Sequence, residues 1–272
     1  MDDHAGLEDL TRRSLQELLK VGHELDLEGE EGAEALTSQL RQVRDEFVQL
    51  RMHYQFGIDE VQTKVNILRQ EFEQVHDYSP IEHVRTRLKS VESLVEKAVR
   101  TGGEMTIPAI RERIHDIAGI RITCSFVSDA YWIADMLSRQ PDLTVLKVKD
   151  YIDHPKPNGY RSLHLIVEVP VFLSEHTEKV PVELQIRTIA MDFWASVEHK
   201  LSYKYGQQLP PHLSAELEDA AQAASDLDQR MARMREEIRP MPRQHRRAAP
   251  LIALPARRTE DRPPEQRDQT RM

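Results

Sequence analysis

Apolar and polar residues follow two different periods along this chain, and each change of period marks an element. From Leu36 the spacing is helical. Leu36, Leu40, Val43, Phe47, Leu50 and Tyr54 step by three and four, and after Gly57 the series resumes at Val61, Val65, Leu68, Phe72 and Val75. This predicts a helical region over 36–76 with a break near Gly57, ended by Ser79-Pro80. In I-E-H-V-R-T-R-L-K (81–89) the period drops to two, placing Arg85, Arg87 and Lys89 on one side of a strand. A helix over Val91–Arg100 follows, stopped by Gly102-Gly103, and Thr106-Ile107-Pro108 opens a short helix to about Ile114. The pattern then predicts strand Gly119–Phe126, helix Asp129–Arg139, strand Thr144–Tyr151, a loop D-H-P-K-P-N-G, strands Ser162–Val171 and Val180–Thr188, and helix Ala190–Tyr203. Strands alternating with helices imply an α/β or α+β fold, a mixed sheet of about five strands with flanking helices. In the last predicted helix, 211–238, Leu213, Leu217, Ala220, Ala224, Leu227, Met231, Met234 and Ile238 step by four and three. That period suits coiled-coil-like pairing, within the chain or between chains.

Composition divides the chain into an N-terminal helical region (1–78), a central block (79–205), a helix (206–238) and a tail (239–272). Residues 1–32 read as loosely structured, with a possible short helix at Leu7–Leu19. The tail holds nine arginines, four acids and six of the 15 prolines, which predicts a disordered, solvated extension; contact with RNA is the less favoured reading. The formal charge of the whole chain is −9 despite this basic tail, so the body is strongly acidic and a poor general surface for nucleic acid. Any anion site in it must be a local basic pocket. No apolar run approaches the roughly 18 residues of a membrane span, and Met1-Asp2-Asp3-His4 leads into no apolar leader; both fit a cytoplasmic protein. The one cysteine, Cys124, lies in an apolar run and reads as a small core residue.

Candidate chemistry gathers in the central block. The strand P-V-E-L-Q-I-R-T (181–188) puts Val182, Leu184 and Ile186 on one side and Glu183, Gln185 and Arg187 on the other. A carboxylate, an amide and a guanidinium in a row can hold a metal or take a proton, read a base edge, and bind phosphate. Around it stands a dense set of cations, among them Arg87, Lys89, Lys97, Arg100, Arg121, Lys149 and Lys156. Lys97 and Arg100 share a helix face. Such groups suit a polyphosphate, each oxygen of which accepts charge-assisted hydrogen bonds. Neither G-x-x-x-x-G-K-[ST] nor G-x-G-x-x-G is present, so side chains rather than a glycine loop must hold the phosphates. Asp116, just before a strand in H-D-I-A-G-I-R, could share a Mg²⁺ with Glu183 if their two strands are neighbours. In N-G-Y-R-S-L-H (158–164) a turn leads into Tyr160, Ser162 and His164 on one face, offering a ring to stack on a base and an imidazole for a phosphate. His76-Asp77 and His115-Asp116 suggest a metal phosphohydrolase, but no further His and Asp stand at spacings that complete such a site.

Four segments, I-E-H-V-R-T-R-L-K-S (81–90), H-D-I-A-G-I-R-I (115–122), K-D-Y-I-D-H-P-K-P-N-G-Y-R-S-L-H (149–164) and the run from Val182 to Tyr205, together resemble the synthetase domain of the RelA/SpoT family, and within it a small, hydrolase-free member of the RelQ type. The resemblance covers about residues 80–205. It implies a nucleotidyltransferase-like fold that moves the β,γ-pyrophosphate of ATP onto the 3′-hydroxyl of GDP or GTP with Mg²⁺. It implies that Arg87, Lys89, Lys97, Arg100 and Arg121 bind ATP, with Arg87 and Arg121 flanking the adenine. Asp116 would hold the metal, and Glu183 would take the hydroxyl proton and also touch the metal. Tyr160 would stack on guanine, Lys149, Lys156 and His164 would hold the acceptor's phosphates, and Gln185 would orient it. Relatives commonly carry Asn where Asp192 stands, a carboxylate that can still accept from guanine's two adjacent donors. The resemblance further implies a homo-oligomer, a tetramer built through the helices. A non-catalytic nucleotide- or RNA-binding module and a metal-dependent hydrolase are the other classes these residues admit. The paired carboxylates Asp116 and Glu183 argue against the first, since binding alone needs neither a base nor a metal.

Overall fold

The computed structural model describes residues 30–76, 78–102, 106–204 and 209–238; the expected helix at Leu7–Leu19 and the Arg- and Pro-rich stretch 239–272 lie outside them. The described elements are α1 (Glu30–Val75), β1 (His83–Leu88), α2 (Val91–Thr101), α3 (Ile107–Arg113), β2 (Ala118–Cys124), α4 (Val127–Ser138), β3 (Thr144–Asp150), β4 (Leu163–Phe172), β5 (Thr177–Thr188), α5 (Ile189–Lys204) and α6 (Pro211–Ile238). One compact unit runs to Ala232; a second starts at Arg233, and its described part, 233–238, is helical.

The five strands form one mixed sheet in the order β1-β2-β5-β4-β3. β2 and β5 run parallel, and the other pairs are antiparallel. Side chains alternate across a strand, so register sorts them onto two faces. One face carries Ile120 and Ile122 of β2, Val182, Leu184 and Ile186 of β5, and Leu163, Leu165 and Val167 of β4, all buried. These pack with Tyr54, Ile58, Val61 and Val65 of α1 and with Ile133 and Leu137 of α4 in a single core. The opposite face is polar, and every strand contributes to it. This division, apolar and helix-covered behind, polar in front, is what positions the site.

Helix α1 runs unbroken through Gly57, so the expected break is absent. The glycine answers to packing. A Cβ there would lie 2.6 Å from Val180 Cγ1 and 3.4 Å from Val182 Cγ2, so its absence lets α1 lie directly on β5. Gly57→Ala should therefore destabilise the fold by about 1 kcal/mol net. Overpacking costs roughly 1–3 kcal/mol, against up to about 1 kcal/mol regained in helix propensity. Urea unfolding measures the sum, and Gly57→Val should lose more.

Hydroxyl caps open three helices at the expected places. Ser90 Oγ accepts from Ser93 N at 3.3 Å for α2, Thr106 Oγ1 from Ala109 N at 3.4 Å for α3, and Thr188 Oγ1 from Met191 N at 3.1 Å for α5. Gly102, at φ 69°, ends α2.

Helix α6 uses a face rotated from its apolar stripe. Ala221, Ser225 and Asp228 are buried and Leu217 and Ala224 half-buried, whereas Ala220 and, at 46% and 42% exposure, Leu227 and Met231 face out. Local chemistry explains the rotation. Trp194 Nε1–H donates to Leu217 O at 2.8 Å, and a Cβ on Gly159 would come within 2.5 Å of Ala221 Cβ, so only a small helix side chain fits against that turn. Thr188, while capping α5, also donates to Asp228 Oδ2 at 2.7 Å. Burial raises the Asp228 pKa more than Thr188 and Arg161 lower it. A carboxyl whose folded pKa is raised stabilises the fold below its unfolded pKa, and that contribution is lost as pH rises through the folded value. Asp228→Asn keeps an acceptor for Thr188 without the charge. It should be at least as stable as wild type at pH 7, with the advantage vanishing in acid, as thermal melts at pH 4 and 7 would show.

Candidate active site

Two clusters stand on the polar face. The first forms where the β1–β2 ladder ends. Leu88 pairs with Ala118, and Lys89 N–H carries the ladder one step further by donating to Ile117 O at 2.8 Å, which brings the Lys89 side chain to Asp116. Lys97 reaches the same carboxylate from α2. Asp116 Oδ2 accepts from Lys89 Nζ at 2.8 Å and lies 2.7 Å from Lys97 Nζ. Burial would raise the Asp116 pKa, but the hydrogen bonds and charges of the two ammonium groups outweigh it and hold the carboxyl below its usual range. Its other oxygen, Oδ1, is buried and has no partner. An ionised carboxylate with one orphaned buried oxygen fits a hard divalent cation.

The second cluster is centred on Glu183. The parallel β2–β5 register sets Gly119 beside Glu183 and Arg121 beside Gln185, confirming that the strands of Asp116 and Glu183 are neighbours. On the other flank His164 of β4 pairs with Gln185, and Lys149 of β3 with His164. Gly119 stands between Arg87 and Glu183 in one row, so no side chain blocks the sheet between the cation and the carboxylate.

Five side chains here close a ring of hydrogen bonds. His164 Nδ1 lies 3.1 Å from Glu183 Oε1, Gln185 Nε2 donates to Glu183 Oε2 at 2.8 Å, Arg187 Nη2 donates to Gln185 Oε1 at 3.0 Å and to Tyr160 Oη at 2.6 Å, and Tyr160 Oη lies 2.8 Å from His164 Nε2. Burial lowers the His164 pKa, more than its hydrogen bond to Glu183 raises it, so the ring is neutral near pH 7. A carboxylate only accepts, so Nδ1 is the protonated nitrogen, and Nε2 accepts from the tyrosine hydroxyl. For Glu183, burial and the charge of Asp116 push its pKa up, while the donors His164 and Gln185 push it down and prevail. The carboxylate is thus ionised at neutral pH, with one N–H aimed at each oxygen.

Arg187 is 4% exposed. Besides Gln185 and Tyr160 it reaches Ser162 Oγ and Asp192 Oδ1, both at 3.3 Å. Asp192 also pairs with Arg121 at 3.1 Å, so two guanidinium groups hold the carboxylate at the start of α5. Burial and the nearby Arg187 charge lower the Arg121 pKa. Tyr160 rests against Trp194, their ring centroids 6.5 Å apart, with Leu217 and Ala221 of α6 behind. Lys156 Nζ sits 4.7 Å from the Tyr160 ring centroid and 4.9 Å from that of Tyr151.

The structure therefore gathers Lys89, Lys97 and Asp116 into one cluster, and Glu183, Gln185, His164, Tyr160, Arg121 and Asp192 into the other. Arg87 and Arg100 are exposed and make no ion pair among the described residues. Tyr160 and Ser162 precede β4 instead of lying on it, so it is the turn at Gly159, with φ 84°, that presents them. Sequence reasoning left Arg187 open between binding phosphate and holding Glu183 and its neighbours in place, and missed Ser162 and Trp194 as supports. The period-two face of β5 pointed to Arg187, but only the fold shows it surrounded by acceptors.

A family model described as a region found in RelA / SpoT proteins matches residues 86–208. The chain is 49% identical over 199 residues to the GTP pyrophosphokinase YwaC of Bacillus subtilis, covering 73% of this chain and 95% of that one. The chain belongs to the RelA/SpoT family. A second RelA/SpoT relative, the GTP pyrophosphokinase YjbM of Bacillus subtilis, is 42% identical over 68% of this chain and 86% of its own. Among solved RelA/SpoT structures, that of small alarmone synthetase 2 from Bacillus subtilis is 48% identical with a TM-score of 0.65, over 71% of this chain and 99% of that one. Small alarmone synthetase 1 from the same organism, bound to its product pppGpp, matches with a TM-score of 0.67 at 39% identity, over 71% and 98%.

Proposed function

We propose that this chain transfers the β,γ-pyrophosphate of ATP to the 3′-hydroxyl of GDP or GTP, giving ppGpp or pppGpp and AMP. Two relatives that this chain covers over most of their own length are GTP pyrophosphokinases, a structurally similar small alarmone synthetase is seen with its product pppGpp, and the matching region is the one found in RelA / SpoT proteins. The observation that carries the reading to residues is Glu183. It is an ionised carboxylate held by two N–H donors, beside a second carboxylate that two lysines already accompany.

In this reading Glu183 takes the proton from the 3′-hydroxyl as that oxygen bonds to the β-phosphorus of ATP and the bond from the β-phosphorus to the oxygen of AMP breaks. Lys89 and Lys97 neutralise charge on the transferring group, Arg100 meets the outer phosphates, and Arg87 and Arg121 flank the adenine. Tyr160 stacks on guanine with Trp194 behind it, Lys149 and Lys156 hold the acceptor's phosphates, and Gln185 and Asp192 orient it. The phosphate role expected for His164 does not fit its surroundings: it is buried, its one N–H faces Glu183 and its other nitrogen accepts from Tyr160, so it holds the base instead. Such transfers depend on positioning and on neutralising spread charge more than on covalent chemistry.

Asp116, through its orphaned Oδ1, and Glu183 would hold Mg²⁺. The described residues contain no group of three or more His, Cys, Asp or Glu able to chelate a metal unaided, which suits an ion that completes its shell with substrate phosphates. When bound, the ion supplies positive charge to the phosphate oxygens. We also place the protein in the cytoplasm; no helix among the described residues is long and apolar enough to cross a membrane. Exposed apolar residues on α1 (Val48, Met52, Ile67) and α6 (Leu227, Met231) support a tetramer assembled through the helices.

The test is to incubate the protein with γ-labelled ATP, Mg²⁺ and GDP or GTP and to resolve the nucleotides. Label should move into a tetra- or pentaphosphate. Retained GTP binding without transfer would instead mark a binding module, and phosphate or pyrophosphate released from added ppGpp a hydrolase.

A further inference from the structure

Arg187 is a polar side chain of the site to which the reaction assigns no task, and the sequence left it open between binding phosphate and holding Glu183 in place. It has five N–H donors and no acceptor, and it does not deprotonate in proteins. Four donors are engaged. Nε–H goes to Ser162 Oγ at 3.3 Å, Nη1 to Asp192 Oδ1 at 3.3 Å, and Nη2 to both Tyr160 Oη at 2.6 Å and Gln185 Oε1 at 3.0 Å. At 4% exposure it is walled in by these partners, which leaves little of it for a substrate to touch.

A group that can only donate determines how its partners face. Gln185 must turn its carbonyl oxygen toward Arg187, and so its NH₂ toward Glu183 Oε2 at 2.8 Å. Tyr160 must accept from Arg187, so its own hydroxyl proton is left for His164 Nε2 at 2.8 Å. With Nε2 accepting, the neutral imidazole carries its proton on Nδ1, 3.1 Å from Glu183 Oε1. Both arms of the ring start at one guanidinium and end as an N–H on each oxygen of one carboxylate. Reversing either arm would set an acceptor against Glu183.

We infer that Arg187 is a positioning residue whose fixed donors orient the Gln185 amide and select the His164 tautomer, so that Glu183 is held by two N–H groups. The inference rests on the reading of Glu183 as the base. Arg187 bonds no reacting atom; it acts through Gln185, Tyr160 and His164. Ser162 and Asp192, with a ring contact of 5.1 Å from Arg187 Cζ to the Tyr160 centroid, keep the guanidinium plane in place.

The free protein provides a readout that needs no turnover. Long-range ¹H–¹⁵N spectra report which imidazole nitrogen of His164 carries the proton. The wild type should show the Nδ1–H form. Glu183 by itself still favours a proton on Nδ1, so Arg187→Lys, which keeps a charge but loses the fork, and Tyr160→Phe, which removes one hydroxyl from an otherwise intact ring, should each turn the single Nδ1–H form into a detectable mixture of tautomers. In turnover, Arg187→Lys should lower kcat about 10- to 100-fold, the scale seen when groups behind a reacting residue are removed, with KM for ATP within about threefold. Because Tyr160→Phe is a small change, it keeps the test open should Arg187→Lys fold poorly. An Nε2–H tautomer in the wild type would overturn the inference. So would an unchanged Nδ1–H form in both variants, or a loss confined to KM of the acceptor, which would make Arg187 a phosphate ligand. Full activity in Glu183→Gln would instead remove the reading of Glu183 as the base while leaving the tautomer result standing, so the two failures are distinguishable.

Discussion

Glu183→Gln should lower the rate of pyrophosphate transfer by about 10²- to 10⁴-fold, the range a positioned general base contributes, while nucleotide affinities stay within a few-fold. The carboxylate is the point on which both hydrogen-bonded arms converge, and its pKa lies below the ordinary value because two donors outweigh burial. It is therefore already deprotonated at neutral pH and ready to accept a proton. Glutamine has the same shape but no basic oxygen, and its NH₂ must face either His164 Nδ1–H or the Gln185 amide, both donors. Label transfer at saturating ATP and GDP gives kcat, and calorimetric titration with GDP checks that binding survives. Glu183→Asp keeps the basicity and withdraws it by one methylene, so it should retain more activity than the amide. A glutamine variant within tenfold of wild type would show that the proton leaves by another route.

Asp116→Asn is the second large effect. Its Oδ2 holds two ammonium groups, Lys89 at 2.8 Å and Lys97 at 2.7 Å, and its Oδ1 is buried without a partner. An amide at this position loses the charge that both lysines need. It also sets an NH₂ either against them or where the metal would be held. A metal's stabilisation of transition-state charge is worth several kcal/mol, and each 1.36 kcal/mol is a factor of ten, so a drop of about 10²–10³ in kcat/KM is expected. The Mg²⁺ concentration for half-maximal rate should rise as well. Transfer assays across a Mg²⁺ series separate the two contributions. If excess Mg²⁺ restored the full rate, Asp116 would serve affinity alone.

Much of the fold could be read from the chain's periodicity. All five strands lie where the period-two pattern put them, within a few residues at each end, because one apolar face had to be buried whatever the topology. The helix start at Thr106 and the stop at Gly102 were equally legible, since both act on their own neighbours. What failed depended on distant neighbours. Gly57 looks like a helix stop in one dimension, and only β5 passing beneath it explains why no Cβ is there. The apolar stripe of α6 is real, yet the helix docks by Ala221, Ser225 and Asp228. A turn at Gly159, some sixty residues away, leaves room for nothing larger than alanine, and Thr188 requires an acceptor.

The site divides in the same way. The strand containing Glu183, Gln185 and Arg187 announces itself by alternation, and the density of cations around it in an acidic chain announces a polyanion. Residue identity and local spacing determined the candidates, the fold class and the type of chemistry, because periodicity and charge are properties of neighbours in sequence. The tertiary structure alone decided which groups act on which. Placing β2 beside β5 put Asp116 near Glu183, placing β4 on the other flank closed the ring through His164 and Tyr160, and burying Arg187 turned an open guanidinium into the origin of that ring. The direction of a hydrogen bond depends on what stands at its far end, and here the far ends lie on different strands.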